Sequence, residues 1–204
     1  MLFLNPVFRL ITLLLNELNA PEILPYDYDI LSFFRELVNY QRILVSMQNR
    51  FSVNEDIKSI LKKMEIDRID YIIRSYHRVR LSKLEINLSR TNNKTSGFKR
   101  LHLYEKSYFL EYTFLCKNFV NNCFLDFLPR EVANIIKYNV AEFNHRQSVS
   151  RDSYVFFRVF QRKQFIDENI FGMKNECELI QKNIYCIKFN YIKRLVYSGV
   201  VFLI

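Results

Sequence analysis

The sequence predicts a mainly α protein of the α+β class: a four-helix bundle-like domain over residues 1–129, a linker over 130–150 and a small β-rich domain over 151–204. Three observations lead there. Apolar residues recur at helical spacing as far as residue 128 and fall in short β-prone runs beyond Arg151, so the period changes once. Half of the 204 residues are hydrophobic while Gly numbers 3 and Pro 4, a balance that favours long helices over loops. The stretch 52–88 contains neither breaker and reads as one long helix around which the chain is organised.

The first 18 residues begin with an apolar run cut by Asn5, Pro6 and Arg9. It is too short to span a bilayer and has no basic residue before it. It predicts an amphipathic helix over Val7–Leu18, with Leu10, Leu14 and Leu18 spaced by four. The segment APEILPY, 20–26, carries two prolines and forms a connector. Asp27 or Asp29 then caps a second helix to about Asn49, its apolar side formed by Phe33, Leu37, Leu44 and Met47. In the organising helix Ser52 and Glu55 stand at capping-box spacing. Two apolar stripes follow, one through Ile57, Leu61, Met64, Ile72 and Val79, the other through Ile66, Ile69, Ile73, Tyr76 and Leu84. Two stripes require two partners.

Residues 89–100, SRTNNKTSGFKR, predict a mobile polar loop. A fourth helix over Leu101–Leu128 has Leu101, Tyr104, Tyr108, Leu115 and Phe119 on one side, Leu110, Phe114 and Leu125 on another, and ends at Pro129. Beyond the linker, strands are predicted at Tyr154–Phe160, Cys177–Ile180 and Ile184–Phe189, with turns at Gln161-Arg162-Lys163 and Lys174-Asn175. Asn190–Ser198 reads as a short helix closed by Gly199, and the last strand is VVFLI.

Several function classes are excluded by what chemistry requires. Gly97, Gly172 and Gly199 are too isolated for a phosphate-cradling loop of the P-loop or dinucleotide kind. The four cysteines, at 116, 123, 177 and 186, form no C-x-x-C pair, and with three scattered histidines they make no zinc pattern. His77, His102 and His145 carry no local signature of a nucleophile–base pair. Glu65, Asp67 and Asp70 lie among Lys62, Lys63, Arg68 and Arg74 and read as a salt-linked helix face. Neither an enzyme nor a bound cofactor or metal is expected. The formal charge of +9 is spread without a block of five or six like charges, so the basic tail of a nucleic-acid binder is absent. In RSYHRVR, Arg78 and Arg80 project about 160° apart on a helix and cannot line one groove, so pairing with carboxylates of neighbouring helices or subunits is expected.

MEIDRIDYIIRSYHRVRLSKLE, 64–85, resembles the central helix of the Sld-five family of the eukaryotic GINS complex. NELNAPEILPYDYDIL, 16–31, is similar to that family's N-terminal signature, and DSYVFFRV, 152–159, with YSGVVFLI, 197–204, to its C-terminal domain. The resemblance implies a non-catalytic scaffold subunit of a nuclear heterotetramer with three Psf-type partners. Through that complex it would contact the MCM ring and its companion factor in the initiation and elongation of DNA replication, with DNA contact weak or indirect and no membrane. With 15 residues before the signature, the long leader of many relatives, and its replisome-hub contact, is expected to be missing. The alternative is a stand-alone basic helical module for nucleic acid, which needs a one-sided basic face not found in the pattern. Partner-interface candidates are Arg74, Tyr76, Arg78 and Arg80 on the long helix, Tyr108 and Phe119 on the next, Tyr154, and the terminal run Val201, Phe202, Leu203 and Ile204.

Overall fold

The computed structural model describes residues 5–51, 57–86, 100–123, 127–129, 132, 153–160, 163–165 and 177–204. Its elements are α1 (Pro6–Asn19), α2 (Tyr28–Phe51), α3 (Ile57–Ile86), α4 (Leu103–Cys123), β1 (Tyr154–Val159), β2 (Lys163–Phe165), β3 (Cys177–Leu179), β4 (Ile184–Lys188), α5 (Phe189–Tyr197) and β5 (Val201–Leu203). The helical bundle and the small antiparallel sheet after it match the expected fold class. The expected capping box at Ser52 and Glu55, the linker 130–150 and the turn at Lys174-Asn175 lie outside the described residues.

Local chemistry sets the helix starts. Asn5 caps α1 by accepting from the Val7 N–H at 3.1 Å, and Pro6, which has no N–H to satisfy, occupies the first helical position. Asp27 caps α2, its Oδ1 accepting from the Ile30 N–H at 3.3 Å. At α4 the Glu105 Oε2 accepts the His102 N–H at 2.9 Å, the reciprocal half of a capping box, while His102 Nδ1 accepts from Tyr104 N–H at 3.4 Å. The end of α5 is a Schellman turn. Gly199, at φ +70°, donates to the Val196 carbonyl and Val200 to that of Leu195, both at 3.1 Å.

The stripe Ile66, Ile69, Ile73, Tyr76 and Leu84 is buried throughout, and all of it but Leu84 joins Ile72, Leu10, Leu31, Phe34, Val38 and Val45 in the core among α1, α2 and α3. Of the other stripe, Ile57, Leu61 and Met64 face water. A second, smaller core joins Ile23, Leu84, Leu101 and Phe109, so α4 packs through its first turns. Phe109 lies on neither predicted side of α4; Tyr104, Leu110, Phe114, Leu115 and Phe119, which do, are exposed. Arg100, expected in the mobile loop, is tied down. Its carbonyl accepts the Tyr26 N–H at 3.2 Å, and its guanidinium donates to the Ile23 carbonyl at 3.2 Å.

In the sheet, ordered β4-β1-β5, β1 pairs antiparallel with both neighbours. One face, with Val155, Phe157, Val159, Val201 and Leu203, is buried against Phe189, Ile192, Leu195 and Val196 of α5. Ala20 and Leu24 of the connector complete that core, joining it to the helical part. Asn16 Oδ1 of α1 also accepts the Leu203 N–H at 2.8 Å, and Phe8 meets the rings of Phe160 and Phe202. β2 pairs with β3 as a separate two-stranded ladder. This corrects the turn expected to include Lys163: that residue opens β2, opposite Leu179, and three residues are too few to show a sequence period.

Leu203 is fully buried between β1, α1 and α5. Leu203→Ala is expected to destabilise the protein by about 2–5 kcal/mol, whereas Phe202→Ala, at a half-buried position, costs less. Urea unfolding monitored by far-UV circular dichroism checks this; equal midpoints for the two variants would contradict the assignment.

Candidate interaction surface

The expected pairing of the RSYHRVR arginines with neighbouring helices is met by Arg80, which lies at 0% exposure at the centre of a polar network. Its Nε and Nη2 donate to Glu105 Oε1 and Oε2 at 2.7 and 2.9 Å, a two-pronged pair across α3 and α4. Nη1 donates to Glu17 Oε2 of α1 at 3.1 Å and to the Leu24 carbonyl at 2.7 Å, and Nη2 reaches the Arg100 carbonyl at 3.4 Å. All five guanidinium protons therefore have an acceptor. The Tyr26 and Tyr76 rings each lie 5.4 Å from the guanidinium carbon. Lys83 adds a second cation, its Nζ donating to Glu17 Oε1 at 3.1 Å and to the Glu17 carbonyl, so two cations face two carboxylates.

Burial alone would lower the pKa of Arg80, but the Glu105 hydrogen bond and the carboxylates of Glu17 and Glu105 hold it above the ordinary guanidinium value. For Lys83 burial outweighs Glu17, and its pKa falls. Burial raises the pKa of the Tyr76 phenol, whose hydroxyl has no hydrogen-bond partner among the described residues. Tyr108 donates to Glu85 Oε1 at 2.6 Å, and that bond, with a smaller contribution from burial, pushes its pKa up to about 12. His77 accepts from Arg35 through Nε2 at 2.9 Å; an arginine only donates, so Nε2 carries no proton. Burial and the Arg35 charge both lower the pKa of His77.

Of the predicted interface residues, Tyr76, Arg80, Val201 and Leu203 are buried among this chain's own side chains. This corrects the expectation that they face a partner: Arg80 and Tyr76 lie on the core side of α3, and Val201 and Leu203 lie on the core side of β5. Phe202 is half-buried beside Phe8, and Tyr108 is half-buried beside Glu85. Arg74, paired with Asp70 of its own helix at 3.5 Å, is exposed, as are Arg78, Phe119, Tyr154 and Ile204. The structure thus separates Arg78 from Arg80, as their helical positions require. Glu17, Glu105 and Lys83, the partners in this buried network, were not singled out by the sequence. The available signal was Glu105 standing three residues after His102, at a helix start.

Among the described residues, most of the exposed large apolar side chains are on helices. Tyr40, Ile43 and Met47 of α2 and Ile57, Ile60, Leu61, Met64 and Tyr71 of α3 are exposed, and Leu110, Phe114, Leu115 and Phe119 extend this character along α4. Ile57 is 77% and Phe114 64% exposed. A cleft of about 590 Å³ lies between α1, the start of α2 and the end of α5, and a pocket of about 230 Å³ between Tyr26, Arg35, His77, His102 and Tyr108. Among the described residues no group of three or more His, Cys, Asp or Glu could hold a metal ion, and no helix is long and apolar enough to cross a membrane.

Residues 30–124 match the Sld5 family, described as the GINS complex protein helical bundle domain. The DNA replication complex GINS protein sld5 of Schizosaccharomyces pombe is 24% identical over 201 residues, covering 98% of this chain and 92% of that protein. The DNA replication complex GINS protein SLD5 of Arabidopsis thaliana is 26% identical over 194 residues, covering 93% and 86%. The Homo sapiens protein of that name is 27% identical over 157 residues, covering 74% and 66%.

Arg80→Ala, which leaves Glu105 buried without its cation and Glu17 with Lys83 alone, is expected to cost about 3–5 kcal/mol, and Arg74→Ala at most about 0.5. Chemical denaturation of both variants measures the contrast. A second expectation concerns pH. Because the folded protein favours neutral His77, the unfolded chain takes up that proton first as pH falls. Its stabilisation is complete above the unfolded value of 6.5 and is lost progressively below it. Melting between pH 8 and 5 should show a steeper loss in the native sequence than in His77→Gln; parallel curves would refute this.

Proposed function

We propose that this chain is an Sld5-type GINS subunit with a role in DNA replication and acts there as a non-catalytic scaffold; the match of residues 30–124 to the GINS complex protein helical bundle domain and the similarity to GINS proteins over nearly the whole chain support this reading. In this reading it assembles with three Psf-type subunits into a heterotetramer in the nucleus. That complex helps to assemble and activate the MCM-containing replicative helicase with its companion factor. Residues 1–129 serve as the helical domain, 130–150 as linker and 151–204 as the β-rich domain.

The observation that carries the proposal is the apolar surface of α2, α3 and α4. Ile57, Leu61 and Met64 continue the period of a helix whose other stripe is buried in this chain, and Phe114, Leu115 and Phe119 lie beyond the turns of α4 that pack on α3. Repeated exposed apolar side chains along helices are what a protein interface covers, and hydrophobic interfaces are characteristic of permanent subunits. Exposed Arg74 and Arg78 on α3 supply a charged margin that sets orientation more than affinity.

Leu61→Asp with Met64→Asp, and separately Phe114→Asp, should leave the melting temperature of the chain nearly unchanged, since these side chains already face water. Co-expression with the three candidate partners followed by affinity capture should recover at least tenfold less of them. Undiminished capture by both variants, with the native sequence as control, would refute the helical interface. The native chain expressed alone is expected to self-associate in sedimentation experiments.

A further inference from the structure

The three-stranded sheet has two faces of different chemistry. Residues directly opposite each other in an antiparallel ladder share a face. Tyr154 stands opposite Lys188, Phe156 opposite Cys186, and Arg158 opposite Ile184 on one side and Phe202 on the other. This face is turned away from the α5 core: Tyr154 is 67% and Phe156 59% exposed. The two aromatics are two residues apart on one strand, hence about 7 Å apart along it, a separation that successive bases of an extended strand can span.

The charges beside the rings have one sign. Arg158 follows Phe156 on the same face, Lys188 places its Nζ 6.0 Å from the Tyr154 ring centroid, and Lys182 is exposed in the turn that leads into β4. The strands YVFFRV, IYCIK and VFL contain no Asp or Glu. Two water-exposed rings interleaved with cations, on strands that carry no side-chain carboxylate, form a stacking platform with phosphate contacts at its margins. A duplex keeps its base faces internal and would leave the rings without partners, while three cations neutralise too few phosphates to hold it by charge alone.

We propose that this sheet face binds single-stranded nucleic acid, with successive bases stacked on Tyr154 and Phe156 and the backbone phosphates paired with Arg158, Lys182 and Lys188. Base stacking is tolerant of sequence, so recognition is of single-strandedness. With about three phosphate contacts the affinity lies in the micromolar range and falls with salt at a log–log slope of about −2.

The test uses the full chain and a fluorescein-labelled oligothymidine of about 15 nucleotides, with a duplex of equal length as comparison, both followed by anisotropy at stepped salt. The single strand should bind more tightly. Tyr154→Ala should weaken it about five- to hundredfold while Tyr154→Phe, which keeps the ring, restores it. Arg158→Gln and Lys188→Gln, neither of which removes a ring, should each flatten the salt slope by about 0.7. Circular dichroism establishes that each variant is folded. Equal or tighter binding of the duplex, full affinity in Tyr154→Ala, or an unchanged slope in both charge variants would overturn the proposal. So would loss of co-purifying protein from Tyr154→Ala with oligonucleotide binding intact, which would assign the face to a protein partner.

Discussion

Five segments of the chain meet on the guanidinium of Arg80: α1 through Glu17, the connector through the Leu24 carbonyl, α3 itself, the backbone of Arg100, and α4 through Glu105. An isolated charge in that position would be prohibitive, and the network is tolerable because every donor is used and the charges balance. Apolar residues of equal volume could fill the same space, but they would accept many arrangements of four helices. A planar fork with fixed directions accepts few. Glu105 is bound at the same time to the first turn of its own helix, so the bond that positions α4 against α3 also fixes where α4 begins.

The connector extends this constraint to the rest of the protein. Ile23 and Leu24 are neighbours, yet Ile23 enters the core shared by α3 and α4, and Leu24 enters the core beneath the sheet. Glu22 lies beside them with Arg100 at 3.2 Å, the Tyr197 hydroxyl at 3.4 Å and Lys193 as partners. Although burial opposes it, these cations lower its carboxyl pKa. The helical part and the sheet are thus held to one short segment by both apolar and ionic contacts, which accounts for two prolines and a glutamate in seven residues.

Helix positions were legible because the spacing of Ile66, Ile69, Ile73 and Tyr76 has only one physical explanation, and the Asp27 and Gly199 signals mark real ends. The destination of a stripe was less legible. Ile57, Leu61 and Met64 have the same period as their buried counterparts, and period reports sidedness without saying what covers the side. In α4 nearly every direction is apolar, so Phe109 could not be picked out as the residue that packs. Arg78 and Arg80 show the limit for charges: the helix angle separates them, but only the positions of Glu17 and Glu105, 63 and 25 residues away in sequence, make Arg80 the buried one.

The bond from Leu203 to Asn16 closes 187 residues of chain. Ribosomes elongate at about 5–20 residues per second, so α1 waits roughly ten to forty seconds before the strand that covers one of its flanks is made. During that interval Phe8 has neither Phe160 nor Phe202 beside it, and the connector holds half a core open. The helices can settle around Arg80 early, since Glu105 is synthesised only 25 residues later. Maturation then ends on a long-range docking step, the slow kind of contact to form.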